Sequence, residues 1–170
     1  MKRKYLYCTI ILSLFLSCGH YKSDRIILTQ GLSENPKAKR IGIEVRPDSV
    51  FYCQEILGGI GKYNCFEKSE NQELFSDLKK IVLNNFINVD ENTDFVDGQL
   101  LQLIYIFEEK ADTLYFSRNN LSTNQNIVID RIIELSNLKF SQISKHEFPN
   151  SLLHEKLPKP PPPIQSKPFH

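Results

Sequence analysis

The chain has 170 residues, 41% of them hydrophobic and 24% charged, with no Trp and a formal net charge of +1. One domain is the default at that length, with enough chain to bury a single modest core. Near-neutrality without a basic stripe leaves no electrostatic footprint for nucleic acid, and no apolar run reaches the ~18–20 residues that a membrane-spanning helix needs.

The first elements are an address. Lys2-Arg3-Lys4 is a short positive start, and Tyr5 to Leu16 is an apolar stretch of 12 residues. That layout is an export signal, too short to span a bilayer. It ends in Leu14-Phe15-Leu16-Ser17-Cys18, with a small residue directly before the Cys. The segment resembles the lipobox of bacterial lipoproteins. It departs from the strict form, which has Leu three residues before the Cys and Ala or Ser two before; here Phe15 and Leu16 stand there. Some Gram-negative groups use a looser box that keeps little more than the apolar run, Ser and Cys. The resemblance implies cleavage after Ser17, a diacylglyceryl group on the Cys18 thiol and an acylated new amino terminus. Each buried CH₂ contributes ~0.8 kcal/mol, so one chain holds marginally and two or three hold firmly. Gly19 follows the Cys, where the family's inner-membrane retention signal has Asp. The implied destination is the outer membrane, on its periplasmic face. The mature chain carries 18 Lys and Arg against 20 Asp and Glu.

Residues 18–40 mix polar residues, Pro36 and charges with one short apolar run, Ile26-Ile27-Leu28. They read mainly as a tether, with the short run compatible with an edge strand. From Ile41 the pattern has period two: Ile41, Ile43 and Val45 alternate with Gly42, Glu44 and Arg46, a half-buried strand with Glu44 facing water. Arg46-Pro47-Asp48-Ser49 is a turn. Val50 to Ile56 returns, Leu57-Gly58-Gly59-Ile60-Gly61 is a flexible loop, and Lys62 to Glu67 is a third strand. Ser69 with Gln72 resembles a capping box. Leu74, Phe75, Leu78, Ile81, Val82 and Phe86 then fall at helical spacing. Asp97-Gly98 is a turn. Leu100 to Phe107, apolar except for Gln102, reads as a central strand covered on both faces. Asp112 to Ser117 returns. A second helix runs from about Thr123 to Leu138, capped by Ser122 or Thr123, with Val128, Ile129, Ile132, Ile133 and Leu135 as its stripe.

The expected class is α+β: an antiparallel sheet of about five strands with two helices on one face, in the order βββα-ββα. The expected organisation is a signal at 1–17, a tether at 18–40, a domain at 41–140 and a tail at 141–170. In the tail, Leu157-Pro158-Lys159-Pro160-Pro161-Pro162-Pro163 favours extended polyproline II.

The cysteines divide by position. Cys8 lies in the leader and Cys18 is the lipidation candidate. Cys53 and Cys65 remain, in an oxidising compartment. A hairpin centred on Gly59 sets them directly opposite one another on one face, close enough for a cross-strand disulfide. The Gly58-Gly59-Ile60-Gly61 loop lacks the phosphate-loop pattern and precedes a strand, so it reads as a turn. His20, His146, His154 and His170 all fall in the expected tether or tail, with no spacing that fits a metal motif. Asp90, Asn92 and Asp94 match the first alternate positions of a calcium loop, but Phe95 stands where the invariant Gly belongs. No metal and no cofactor is expected. The expected function is a membrane-anchored, non-enzymatic binding module of the cell envelope, meeting a protein partner through the sheet surface or the Pro-rich tail. The alternative is a periplasmic inhibitor or immunity-type protein that blocks a hydrolase. A third class, a hydrolase using carboxylates such as Glu55 and Glu67, requires those two to converge.

Overall fold

The computed structural model of the protein describes residues 24–31, 39–57, 61–70, 72–86, 100–108, 110–148 and 151–154. Among them are seven strands: β1 (Arg25–Gln30), β2 (Ile41–Val45), β3 (Ser49–Glu55), β4 (Tyr63–Ser69), β5 (Leu100–Phe107), β6 (Lys110–Ser117) and β7 (Ser141–Ile143). Two α-helices, α1 (Gln72–Phe86) and α2 (Thr123–Glu134), complete the α+β class. The strands form one sheet in the order β6-β5-β1-β2-β3-β4-β7, antiparallel throughout.

The sheet therefore has seven strands rather than about five, and both additions fall outside the expected domain. Ile26-Ile27-Leu28 belongs to neither a tether nor an edge. It is the middle of the sheet, paired with β2 on one side and β5 on the other. All three side chains are buried, which explains a continuous apolar run in place of alternation. The run is short and its flanks are polar, with Asp24 and Arg25 before it and Thr29 and Gln30 after it, which gives it the look of a linker. β7, at the far edge, has three residues, too few to show a period.

One face carries the helices. Ile26, Leu28, Ile43, Val45, Val50, Leu101, Leu103, Tyr105, Leu114 and Phe116 pack against Phe75, Leu78, Val82 and Phe86 of α1 and Val128, Ile129 and Ile132 of α2. α2 opens with a reciprocal capping box: Ser122 Oγ accepts from the Gln125 N–H, and Gln125 Oε1 accepts from the Ser122 N–H. Ser122 is thus the cap. Ser69, in contrast, closes β4 and does not cap α1.

The other face is not open either. Residues 144–148 and 151–154, expected in the tail, run back across it as a strap. Phe148, Leu152 and Leu153 are buried, and Phe148 and Leu153 cluster with Ile27, Ile104, Cys53 and Cys65. Burying each of these side chains contributes ~1.5–3 kcal/mol, which holds the strap down. Gly42 makes the fit possible. A Cβ there would lie 2.7 Å from Leu153 Cδ1 and 2.9 Å from Phe148 Cζ. Polar residues guide the strap: buried Gln102 takes a hydrogen bond from Thr29 Oγ1 at 2.8 Å and donates to the Tyr115 hydroxyl at 2.9 Å. Its Oε1 also accepts from the Leu152 N–H at 3.1 Å.

A Gly42→Ala substitution checks this packing. In an uncovered strand Gly→Ala stabilises by ~0.4–1 kcal/mol. Under the strap it overpacks, and the expected outcome is a loss of ~1–3 kcal/mol in urea unfolding; a gain in stability would contradict the strap's position.

Candidate functional site

Two constructions on the strapped face hold the chain's unusual residues. The first is the β3–β4 hairpin. Its register pairs Cys53 with Cys65 and Glu55 with Tyr63, the alignment expected for a hairpin centred on Gly59. Cys53 and Cys65 are joined in a disulfide, twelve residues apart in sequence. Beyond it, the Arg40 guanidinium holds Glu55 through two hydrogen bonds, Nε to Oε2 at 3.1 Å and Nη2 to Oε1. Glu55 Oε1 also accepts from the Gly61 N–H at 3.3 Å, and the Ile56 N–H donates to the Lys62 carbonyl at 2.9 Å. The bonds from Arg40 outweigh the opposing effect of burial and hold the Glu55 carboxyl below the ordinary glutamate value. Arg40 is itself buried and donates to the Leu153 carbonyl, as does the Tyr63 hydroxyl at 2.9 Å. Burial pushes the Tyr63 phenol above its ordinary value.

The end of this hairpin is apolar and exposed. Leu57 is 62% exposed and Ile56 39%, two of the four large hydrophobic side chains exposed among the described residues. Two adjacent apolar side chains on a braced tip differ from single apolar residues scattered on a surface, which are ordinary. Gly58, Gly59 and Ile60 lie outside the described residues.

The second construction is a buried ionic cluster. Glu44, read from alternation as solvent-facing, is fully buried. Its Oε1 meets Arg46 Nε at 2.7 Å and Arg25 Nη1 at 3.6 Å. Its Oε2 meets His146 Nε2 at 2.8 Å. The His146 ring lies flat on Phe51, centroids 4.0 Å apart, and Arg46 covers the same phenyl ring at 4.8 Å. His146 thus belongs to the fold and not to a loose tail. Burial alone would raise the Glu44 carboxyl, but hydrogen bonds from His146 and Arg46 prevail and lower it. A carboxylate so enclosed serves as the counter-ion that fixes the strap over β2 and β3.

The carboxylate pair weighed for hydrolysis does not converge. Glu67 stands opposite Phe51, and Glu55 opposite Tyr63. Those rows are four residues apart along the strand, about 14 Å at ~3.4 Å per residue. Paired glycosidic carboxylates stand ~5–9.5 Å apart. Among the described residues no three His, Cys, Asp or Glu side chains gather as a metal site. Cys18, the Asp90–Asp94 loop, His20, His170 and the Pro-rich stretch lie outside the described residues. The sheet surface offered by the sequence as a docking face carries the strap over its centre.

Sequence reasoning found the disulfide but not the Glu44 cluster or Arg40. One available signal was Leu152-Leu153 with Phe148, apolar residues in a region read as tail. The fold is a two-sided antiparallel sheet, with a helical layer on one face and a strap on the other. No protein-family model matches the chain, and no curated protein is similar enough to count as a relative.

The Glu44 cluster sets a pH dependence. A carboxyl with a lowered folded pKa contributes stability that is fully present above its unfolded value, about 4.3, and lost as pH falls through the folded one. Glu44→Gln is expected to destabilise by ~1–3 kcal/mol at neutral pH, with the deficit relative to wild type shrinking on acidification. Thermal melts from pH 7 down to 3 check it, and a deficit that stays constant with pH would contradict the assignment.

Proposed function

We propose that the protein is a lipid-anchored, non-enzymatic binding module of the bacterial cell envelope, held through Cys18 at the periplasmic face of the outer membrane. It meets a protein partner with the β3–β4 tip. The lipobox-like segment supports the location. The observation that carries the binding role is the exposed Ile56-Leu57 pair on a hairpin locked by the Cys53–Cys65 disulfide and the Arg40–Glu55 ion pair. An apolar pair at the braced end of β3 suits insertion into a pocket. Buried apolar anchors dominate interface energetics, and side chains on a braced strand end lose little conformational freedom on docking.

The same protruding tip favours, as a second reading, an inhibitor or immunity-type protein that plugs a hydrolase. The two readings differ in what the tip enters, and the partner's own activity separates them.

A photo-crosslinking residue placed at Leu57 in intact cells is expected to yield one discrete protein adduct. The adduct should disappear when Ile56 is also changed to Asp. The same residue at Glu108, on the opposite end of the sheet, should not yield that adduct. Identical adduct patterns from both positions, or none from Leu57, would remove the tip as the binding element. If the captured protein is a hydrolase slowed by the purified domain, the inhibitor reading is the correct one.

A further inference from the structure

The protein is polar along its strand axis, and the anchor lies at one pole. Asp24, just before β1, is fastened to the body. Its carboxylate takes a hydrogen bond from Lys79 Nζ of α1 at 2.7 Å and another from the Glu108 N–H at 2.8 Å. Only six Cα–Cα steps separate this fixed residue from Cys18. At ~3.3–3.6 Å per residue, the connection reaches about 20 Å when fully drawn out. The 23-residue tether expected at 18–40 is therefore a short leash, because β1 begins at its eighth residue.

Register shows what sits at each pole. Ile26 pairs with Val45 and Tyr105, and Val45 pairs with Val50. The start of β1, the β2–β3 turn at Pro47 and Asp48, and the end of β5 thus share the anchored pole. The β3–β4 tip lies at the other. Leu57 is eight residues beyond Ser49, about 27 Å at ~3.4 Å per residue. The strap also ends at the far pole, since the Leu153 carbonyl is bonded to Arg40 and Tyr63. The Pro-rich stretch begins four residues later, at Leu157.

We propose that the pole formed by Asp24, Asp48 and Glu108 faces the lipid headgroups of the membrane that holds Cys18, and that the hairpin tip points away from that membrane. This rests on the lipid-anchor reading. The lengths exclude the inverted pose. To stand tip-first on the same bilayer the domain would have to turn over, lifting Asp24 by about 27 Å on a leash of about 20 Å; a domain lying on its side would bring positions 48 and 57 equally close, the outcome that equal transfer reports. The chemistry of the anchored pole agrees with a headgroup surface. It carries both signs of charge close together, Lys79 with Asp24 and Glu108, and so requires no particular lipid charge. The apolar tip then serves a protein that stands over the membrane.

The test uses the full mature protein in vesicles of phosphatidylethanolamine and phosphatidylglycerol with an energy-transfer acceptor on the headgroups. A donor dye is attached at Asp48→Cys in one sample and Leu57→Cys in another. Both positions are exposed, and neither contributes to the buried clusters. Transfer from position 48 is expected to exceed that from position 57 several-fold. Equal or reversed transfer, in protein whose N-terminal peptide has the mass of a lipidated Cys18, would overturn the orientation while leaving the anchor intact. An unlipidated Cys18 in that mass spectrum would overturn the anchor itself, and the orientation with it.

Discussion

The sheet is buried on both faces, and this begins with β1. A strand paired on both edges and covered above and below satisfies all its backbone groups internally. Here Ile26 and Leu28 serve the helical layer while Ile27 meets the strap. β1 is also the joint between two arms, β2–β3–β4–β7 on one side and β5–β6 on the other. Remove it and the two arms share no ladder.

The strapped face explains several polar residues that look misplaced in a core. Gln102 interrupts an apolar strand because its amide binds Thr29, Tyr115 and the strap's backbone together. Glu44 is buried because Arg46 and Arg25 balance its charge and His146 Nε2 meets its second oxygen in a hydrogen bond. A buried ion pair adds little net stability over an apolar substitute, yet losing one partner is costly. Its value here is positional: it fixes where residues 144–148 cross the sheet. Arg40 does the same at the other end, and its second duty, holding Glu55, ties the strap to the hairpin whose tip is exposed. The exposed Ile56-Leu57 end of the hairpin and the strap are thereby parts of one frame.

Much of this was legible in the sequence. The two helices and β2 follow from periodicity, β5 from an apolar run of strand length, and the Cys53–Cys65 pairing from a turn centre and simple register. What could not be read has a common cause: alternation reports burial on one face only. Gly42 and Glu44 alternate with Ile41, Ile43 and Val45 as a solvent face would, although that face is covered by chain a hundred residues away. Nor does a period arise from three residues such as Ile26-Ile27-Leu28 or Ser141-Gln142-Ile143. The contacts of His146 and Phe148 depend on long-range return of the chain, which no local pattern records.

Native-state hydrogen exchange resolved to single amides tests the two-sided burial most directly. The amides of Ile27, Leu28 and Thr29 are predicted to be among the slowest in the molecule, and the Leu152 amide to be protected through its bond to Gln102. Such protection marks a central strand that opens only with global unfolding. Exchange of the 27–29 amides as fast as that of an unstructured peptide would show β1 to be a linker after all, and the strapped sheet would fall with it.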